Sequence, residues 1–111
     1  MPRMQILTTQ EQEDFDKPPL FDHQQRKQFF DFLQRLLDMV RNLRNPVNQI
    51  SFLLLCGYFR ASKRFFLPQD FHDRDIAVVA GMLGYPPSEF SASDYSKASR
   101  IRHQQIIVEY Y

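Results

Sequence analysis

Residues 45–67, which read NPVNQISFLLLCGYFRASKRFFL, decide the fold of this chain. Nearly every position between residues 50 and 59 is apolar. A helix over this stretch has no side suited to water, so we expect it at the centre of a helical bundle. Pro46, directly after Asn45, suits the first position of that helix, and we expect the helix to end near residues 59–60.

Charge is segregated along the chain, although the net charge is only +1. Residues 41–64 carry five basic and no acidic side chains, whereas residues 65–96 carry one basic and five acidic side chains. Residues 97–111 are basic again, with three basic side chains and one acidic. Two basic zones separated by an acidic one indicate a surface with a basic stripe, which can bind phosphates even in a near-neutral protein.

Helical signals also precede the central stretch. We expect an arm over residues 1–7 and then a short helix, capped by a threonine at position 8 or 9, that ends before Pro18. Asp22 is a suitable N-cap for a longer helix over about residues 23–43. Apolar residues recur along it at the three- or four-residue spacing of one helical face: Phe29, Leu33, Leu36, Val40 and Leu43.

Two further helices are expected after Pro68. The first covers about residues 71–83 and ends at Gly84. Its apolar face consists of Ile76, Val79, Ala80 and Leu83. The second runs from near Ser93 towards Glu109. Because no two-residue alternation with hairpin turns occurs, residues 1–111 are predicted to form a single all-α domain, a compact bundle of four to five helices.

Residues 76–90, which read IAVVAGMLGYPPSEF, have the outline of a helix-turn-helix. A small residue lies mid-helix, a Leu-Gly pair ends the helix, and a turn precedes a new helical start. Ordinary helical hairpins share this outline, so the sequence leaves both interpretations open.

The chain lacks the residue patterns of catalytic and metal sites. Its three histidines are far apart, and none has a Cys or His three or four residues away. Cys56 lies in the apolar run with no adjacent base, as a core residue does. Asp70, Asp73 and Asp75 could hold a cation, but acidic residues at a helix start also complement the helix dipole. We therefore expect no enzyme activity, no metal, no cofactor and no small-molecule substrate.

The cellular location is expected to be cytoplasmic. No signal peptide is visible, and no apolar run approaches the ~20 residues that span a bilayer. A single cysteine forms no internal disulfide, which suits a reducing compartment.

The last predicted helix carries side chains of the types that bind phosphates and read base edges. They are Lys97, Arg100, Arg102, His103 and Gln104. Lys97, Arg100 and Gln104 are spaced to share one face, and the alternative is a merely solvated basic face. We expect this group and the group Arg60, Lys63 and Arg64 to contact double-stranded DNA. Arg100 or Gln104 is the expected base reader.

Four pieces of sequence, in a constant order, resemble one known family. The chain opens with Met1-Pro2-Arg3 and Ile6-Leu7-Thr8. Residues 48–52, Asn-Gln-Ile-Ser-Phe, are similar to a motif Asn-Arg-Leu-Gly-Phe that leads into an apolar helix. A Phe-Leu-Pro break at residues 66–68 precedes the helix that ends in Leu-Gly. Tyr95, Ser99, Arg100, His103 and Ile107 follow the pattern Tyr…Thr-Arg-x-x-His-x-x-x-Ile. The chain thereby resembles the N-terminal region of the replicative, cointegrate-forming class II transposases, the Tn-three family.

This resemblance implies a DNA-binding domain of a bacterial transposase, which recognises the terminal inverted repeats of its transposon at the nucleoid during DNA transposition and recombination. Asn48 becomes a further candidate DNA contact. Gln49 and Ser51 replace the Arg and Gly of the family motif, which removes one candidate phosphate contact. In the family, strand transfer belongs to a C-terminal acidic-triad domain that uses metal and is absent from this sequence. The chain therefore resembles a fragment of a longer transposase.

A different expectation is a helical protein-interaction domain that contacts other transposase subunits. Eleven Phe residues make an exposed aromatic patch conceivable on such a surface.

Overall fold

A computed structural model describes residues 17–111, and the predicted arm and first short helix lie outside the described residues. Within this range the chain forms five α-helices and no strand. We number them α1 (His23–Phe29), α2 (Gln34–Arg41), α3 (Pro46–Ser62), α4 (Asp73–Leu83) and α5 (Lys97–Tyr110). Single 3-10 turns lie at Pro68–Asp70, Pro87–Glu89 and Ala92–Asp94. The predicted all-α class is confirmed.

Helix α3 forms the centre of the bundle, as its apolar sequence predicts. Asn45 caps its start by accepting a 2.8 Å hydrogen bond from the backbone N–H of Asn48, and Pro46 occupies the first turn. Every side chain from Gln49 to Tyr58 is buried, and α1, α2, α4 and α5 all pack against this helix. Burial raises the pKa of the Cys56 thiol well above its ordinary value, as expected for a core cysteine.

The predicted single helix over residues 23–43 is wrong, because the chain breaks between α1 and α2. Phe30 and Phe32 are both buried against the core, whereas Leu33 is 66% exposed. Successive helical residues are about 100° apart, so a continuous helix would point Phe30 and Phe32 in nearly opposite directions. A non-helical turn lets both rings face α3. The predicted N-cap is confirmed, since Asp22 and Gln25 form a capping box.

Arg60, at the far end of α3, stabilises this break. Its Nη1 donates hydrogen bonds to the carbonyl oxygens of Phe29 at 3.1 Å and Asp31 at 2.7 Å. Carbonyl groups at the end of a helix have no hydrogen-bond donor within the helix. The Arg60 guanidinium is the donor for them here.

The helix-turn-helix interpretation of residues 76–90 is not borne out. Helix α4 has the predicted buried face and ends at Gly84, whose φ of 84° closes the helix in the left-handed conformation. The next α-helix, however, starts only at Lys97, and the connection contains two separate 3-10 turns. A helix-turn-helix joins its helices through a turn of about 3–4 residues.

A buried ion pair joins three helices in the core. Asp75 is 1% exposed and accepts a 2.8 Å hydrogen bond from Nε of Arg26 and a 2.5 Å hydrogen bond from the hydroxyl of Tyr58. The acid at the start of α4 is therefore a partner for α1 and α3, and not simply a complement to the helix dipole. The sequence contained no local sign of this pairing, because Arg26 and Asp75 are far apart in the chain.

Helix α5 runs parallel to α3. The ring of His103 lies 5.2 Å from the ring of Phe52. Further towards the C-terminal ends of both helices, the guanidinium of Arg60 lies 6.0 Å from the ring of Tyr111. Residue numbers thus increase in the same direction along both helices. This arrangement brings the first turns of α5 beside the start of α3.

Candidate nucleic-acid interface

A polar cavity of about 490 Å³ lies where the α2–α3 turn meets the first half of α5. It is lined by Asn42, Leu43, Arg44, Asn48, Ser99, Arg102 and His103. Three of these residues, Asn48, Arg102 and His103, are DNA contacts expected from the sequence, and the fold brings them together from opposite halves of the chain. Arg44 and Ser99 complete the cavity and were not among the expected contacts.

The cavity is cationic. Arg44 and Arg102 are both solvent-exposed, and none of the lining residues is acidic. Guanidinium groups present several N–H donors in a planar fork that matches the oxygens of a phosphate. Arg44 lies in the acid-free zone of residues 41–64, so the charge pattern already contained a signal for it.

His103 forms the floor of this cavity. Only 3% of the residue is exposed, and its ring packs edge-on against Phe52. Burial, followed by the charge of Arg102, lowers the pKa of His103 to about 4, so the imidazole is neutral at pH 7. Its Nδ1 lies 2.6 Å from the hydroxyl oxygen of Tyr95. Burial raises the pKa of Tyr95, so this hydroxyl keeps its proton at pH 7. Nδ1 of His103 is its only hydrogen-bond partner among residues 17–111, so the hydroxyl donates and Nδ1 accepts.

The second predicted basic group lies at the other end of α3. This helix of 17 residues is about 25 Å long, so the group at its C-terminus is well separated from Asn48. The Arg60 guanidinium is engaged in hydrogen bonds to the backbone carbonyls at the α1–α2 break. Lys63 is exposed in the left-handed conformation with φ of 60°, and the Arg64 guanidinium lies 5.3 Å from the ring of Phe66. The structure therefore divides the basic zone into two surfaces.

The remaining predicted contacts on α5 do not line the polar cavity. Lys97 is exposed at the start of the helix, beside the N-cap Ser96, and Arg100 is half-buried. Gln104 does not line the polar cavity. It borders a second cavity, of about 430 Å³, lined by Phe65, Ile101, Gln104, Gln105, Val108 and Glu109.

Gln49, which replaces the motif arginine, has a structural position. Its side chain is buried and donates a 3.1 Å hydrogen bond to the carbonyl oxygen of Leu43, just after α2. Its Oε1 accepts a 2.9 Å hydrogen bond from the hydroxyl of Tyr85. The residue thus connects the end of α2 to the end of α4.

Metal and membrane sites receive no support from the described part of the chain. Residues 17–111 contain no group of three or more His, Cys, Asp or Glu side chains placed to hold a metal ion. Among these residues no helix is both long and apolar enough to cross a bilayer.

No curated protein and no solved structure matches the chain. A family model described as a domain of unknown function (DUF4158) matches residues 6–111, almost the whole chain. The chain therefore belongs to the DUF4158 family.

Proposed function

We propose that this domain binds double-stranded DNA and positions a transposase on the terminal inverted repeats of its transposon. The observation that carries the proposal is the acid-free polar cavity at the junction of the α2–α3 turn and α5. Cations that converge from separate segments suit the DNA backbone, where half to two-thirds of protein–DNA hydrogen bonds are made. The resemblance to the Tn-three transposases supports the choice of DNA target.

In this proposal the cavity and its margin form the first contact. Arg44 and Arg102 bind backbone phosphates, and Lys97 and Arg100 extend the cationic surface towards the start of α5. Base reading is assigned to Arg100, which directly follows the cavity residue Ser99 in α5 and is half-buried. His103 is not assigned a base, because its ring belongs to the core.

Lys63 and Arg64 form a second contact at the opposite end of α3. Arg60 is removed from this contact, because its Nη1 already binds two backbone carbonyls. Catalysis is assigned to another domain of a longer protein, and the domain acts in the bacterial cytoplasm on nucleoid DNA. Both assignments follow from the resemblance.

The direct test is binding to a labelled duplex of the terminal inverted repeat and to a scrambled duplex, across a salt series. Wild-type protein is expected to prefer the repeat, with affinity that falls as salt rises. Arg44→Ala and Arg102→Ala are each expected to lower the slope of log K against log salt by about 0.9, which is the effect of one lost phosphate contact. Arg74→Ala removes an exposed arginine outside the cavity and is the matched control. Equal, weak binding to both duplexes would contradict the proposal.

A subunit-contact function is favoured by a different surface. Ile101 and Val108 on α5 are 45% and 55% exposed, and they border the cavity that contains the half-buried Phe65. Exposed aliphatic residues on one helix side are typical of protein contacts. If this face binds another transposase subunit, sedimentation equilibrium will detect self-association that Val108→Glu abolishes without a change in DNA affinity.

A further inference from the structure

We infer that the polar cavity is a seat for one tetrahedral oxyanion, and that the bound anion clamps α5 to the α2–α3 turn. The inference rests on the proposed function, which it deepens by naming the ligand class and the atoms that hold it. The shared chemistry is a phosphate-like group, either a phosphodiester of a nucleic-acid backbone or a free phosphate.

The donors around the cavity come from both sides. Arg44 and Asn48 belong to the α2–α3 turn and the start of α3, whereas Ser99 and Arg102 belong to α5. Guanidinium, amide and hydroxyl groups all donate hydrogen bonds to oxyanions, and the two guanidinium charges balance the negative ligand. A volume of about 490 Å³ admits such an anion together with several waters, since each water takes about 30 Å³ of liquid.

His103 supplies the second, independent observation. Only 3% of the residue is exposed. Tyr95 donates to Nδ1, so the neutral ring carries its proton on Nε2. This Nε2–H has no hydrogen-bond partner among residues 17–111, although His103 lines the cavity. An oxyanion in the cavity would accept a hydrogen bond from this N–H.

The placement of the donors has a structural consequence. Arg44 and Arg102 are exposed and lie on the two sides of the cavity. An anion bound by both guanidinium groups would bridge these segments. Since a ligand that binds only the folded state stabilises it in proportion to the logarithm of its concentration, occupancy of this seat is visible as thermal stabilisation.

The experiment uses sodium sulfate as the probe, at constant ionic strength maintained with sodium chloride. The melting temperature of the wild-type chain is expected to rise with sulfate concentration, and the imidazole C–H resonances of His103 are expected to shift with saturation. The variant Arg44→Ala/Arg102→Ala should lose both responses. Its matched control, Arg35→Ala/Arg74→Ala, removes the same charge from exposed positions outside the cavity and should keep both.

A non-saturating response, or an equal response in both double variants, would overturn the inference by showing only non-specific ion effects. Where sulfate binding saturates, a scrambled duplex separates the two sources of the anion. Displacement of sulfate by the duplex assigns the seat to backbone phosphate, and no displacement assigns it to free phosphate. The proposed function fails separately, when sulfate binds this seat but the inverted repeat is not preferred over the scrambled duplex. If the repeat is preferred and sulfate has no effect on His103, only the present inference fails.

Discussion

The hydroxyl of Tyr58 donates a 2.5 Å hydrogen bond to Oδ2 of Asp75, and both side chains are almost completely buried. Burial, followed by this hydrogen bond, raises the pKa of Tyr58 far above its ordinary value. With Arg26 on the other carboxylate oxygen, the pair connects the central helix α3 to α4 and α1. The position of α3, whose two ends carry the proposed DNA contacts, therefore depends on a polar contact within an apolar core.

Replacement of Asp75 by alanine is expected to lower the free energy of unfolding by about 3–5 kcal/mol, because it leaves the Arg26 charge and the Tyr58 hydroxyl without their buried acceptor. Urea denaturation measures the change. Asp73→Ala removes an exposed acid from the same helical turn and should change stability by less than about 0.5 kcal/mol. Equal effects of the two substitutions would show that helix-dipole complementation, and not the buried pairing, is the role of Asp75.

Gly57→Ala is expected to destabilise the domain by about 1–3 kcal/mol, the usual cost of overpacking a core. A Cβ on Gly57 would overlap the ring of Phe30, which lies directly against the α3 backbone. Gly81 is the matched control, because a Cβ there meets no atom of residues 17–111 within 4 Å. Gly81→Ala lies inside α4 and should stabilise the domain by about 0.5–1 kcal/mol, as alanine does in an exposed helix. Thermal melts of both variants provide the comparison.

Lys63→Gly separates charge from stability at the end of α3. Lys63 has φ of 60°, a conformation that costs a residue with a Cβ about 1–2 kcal/mol relative to the right-handed helix and that glycine adopts readily. The variant should be at least as stable as wild type in chemical denaturation, while its affinity for a DNA duplex at low salt decreases. Lys63→Ala removes the same charge but keeps the backbone strain. It should show the same loss of DNA affinity as Lys63→Gly, with a lower stability than Lys63→Gly. A DNA affinity unchanged in both variants would remove Lys63 from the proposed second contact.

The stability of the domain is expected to decrease on acidification through the titration of His103. The pKa of this ring is lowered from its ordinary 6.5 to about 4 in the fold. Above pH 6.5 the ring is neutral in both states and its contribution is fully present. Between pH 6.5 and 4 the unfolded chain takes up a proton that the folded chain does not bind, so the free energy of unfolding falls, by on the order of 3 kcal/mol.

Urea denaturation at a series of pH values tests this expectation. His103→Gln keeps an amide that can pair with Tyr95 but does not titrate, so its stability profile should be flatter than that of wild type between pH 6.5 and 4. Parallel profiles for the two proteins would contradict the assignment of a neutral, buried imidazole.

Sequence reasoning identified local features well and distant pairings poorly. The cap at Asp22, the start of α3 at Pro46 and the end of α4 at Gly84 all follow from neighbours within a few residues, and all three are confirmed. The break after Phe29 was missed, because the apolar spacing of residues 29–43 is compatible with one helical face. Only the position of Arg60 and the need to bury two phenylalanines show why the helix stops there.

The candidate site divides in the same way. Charge counting indicated that residues 41–64 and 97–111 attract anions, and the resemblance added Asn48. Neither the charge pattern nor the resemblance revealed that Arg44 and Arg102 share one cavity, or that Arg60 is a structural residue. The shared cavity depends on the packing of α5 beside the start of α3, whereas the role of Arg60 depends on the packing of the α1–α2 break against the end of α3.

The amino-acid sequence by itself determined the all-α class and the central place of α3, because apolar side chains on every face of a helix leave it no stable position except the interior. Tertiary structure alone decided which charges meet, because Arg26 with Asp75 and Arg44 with Arg102 are distant in sequence and no local rule relates them. Burial of apolar surface is non-directional and can be predicted from composition and period. Hydrogen bonds and ion pairs depend on distance and angle, so their partners exist only once the helices have packed.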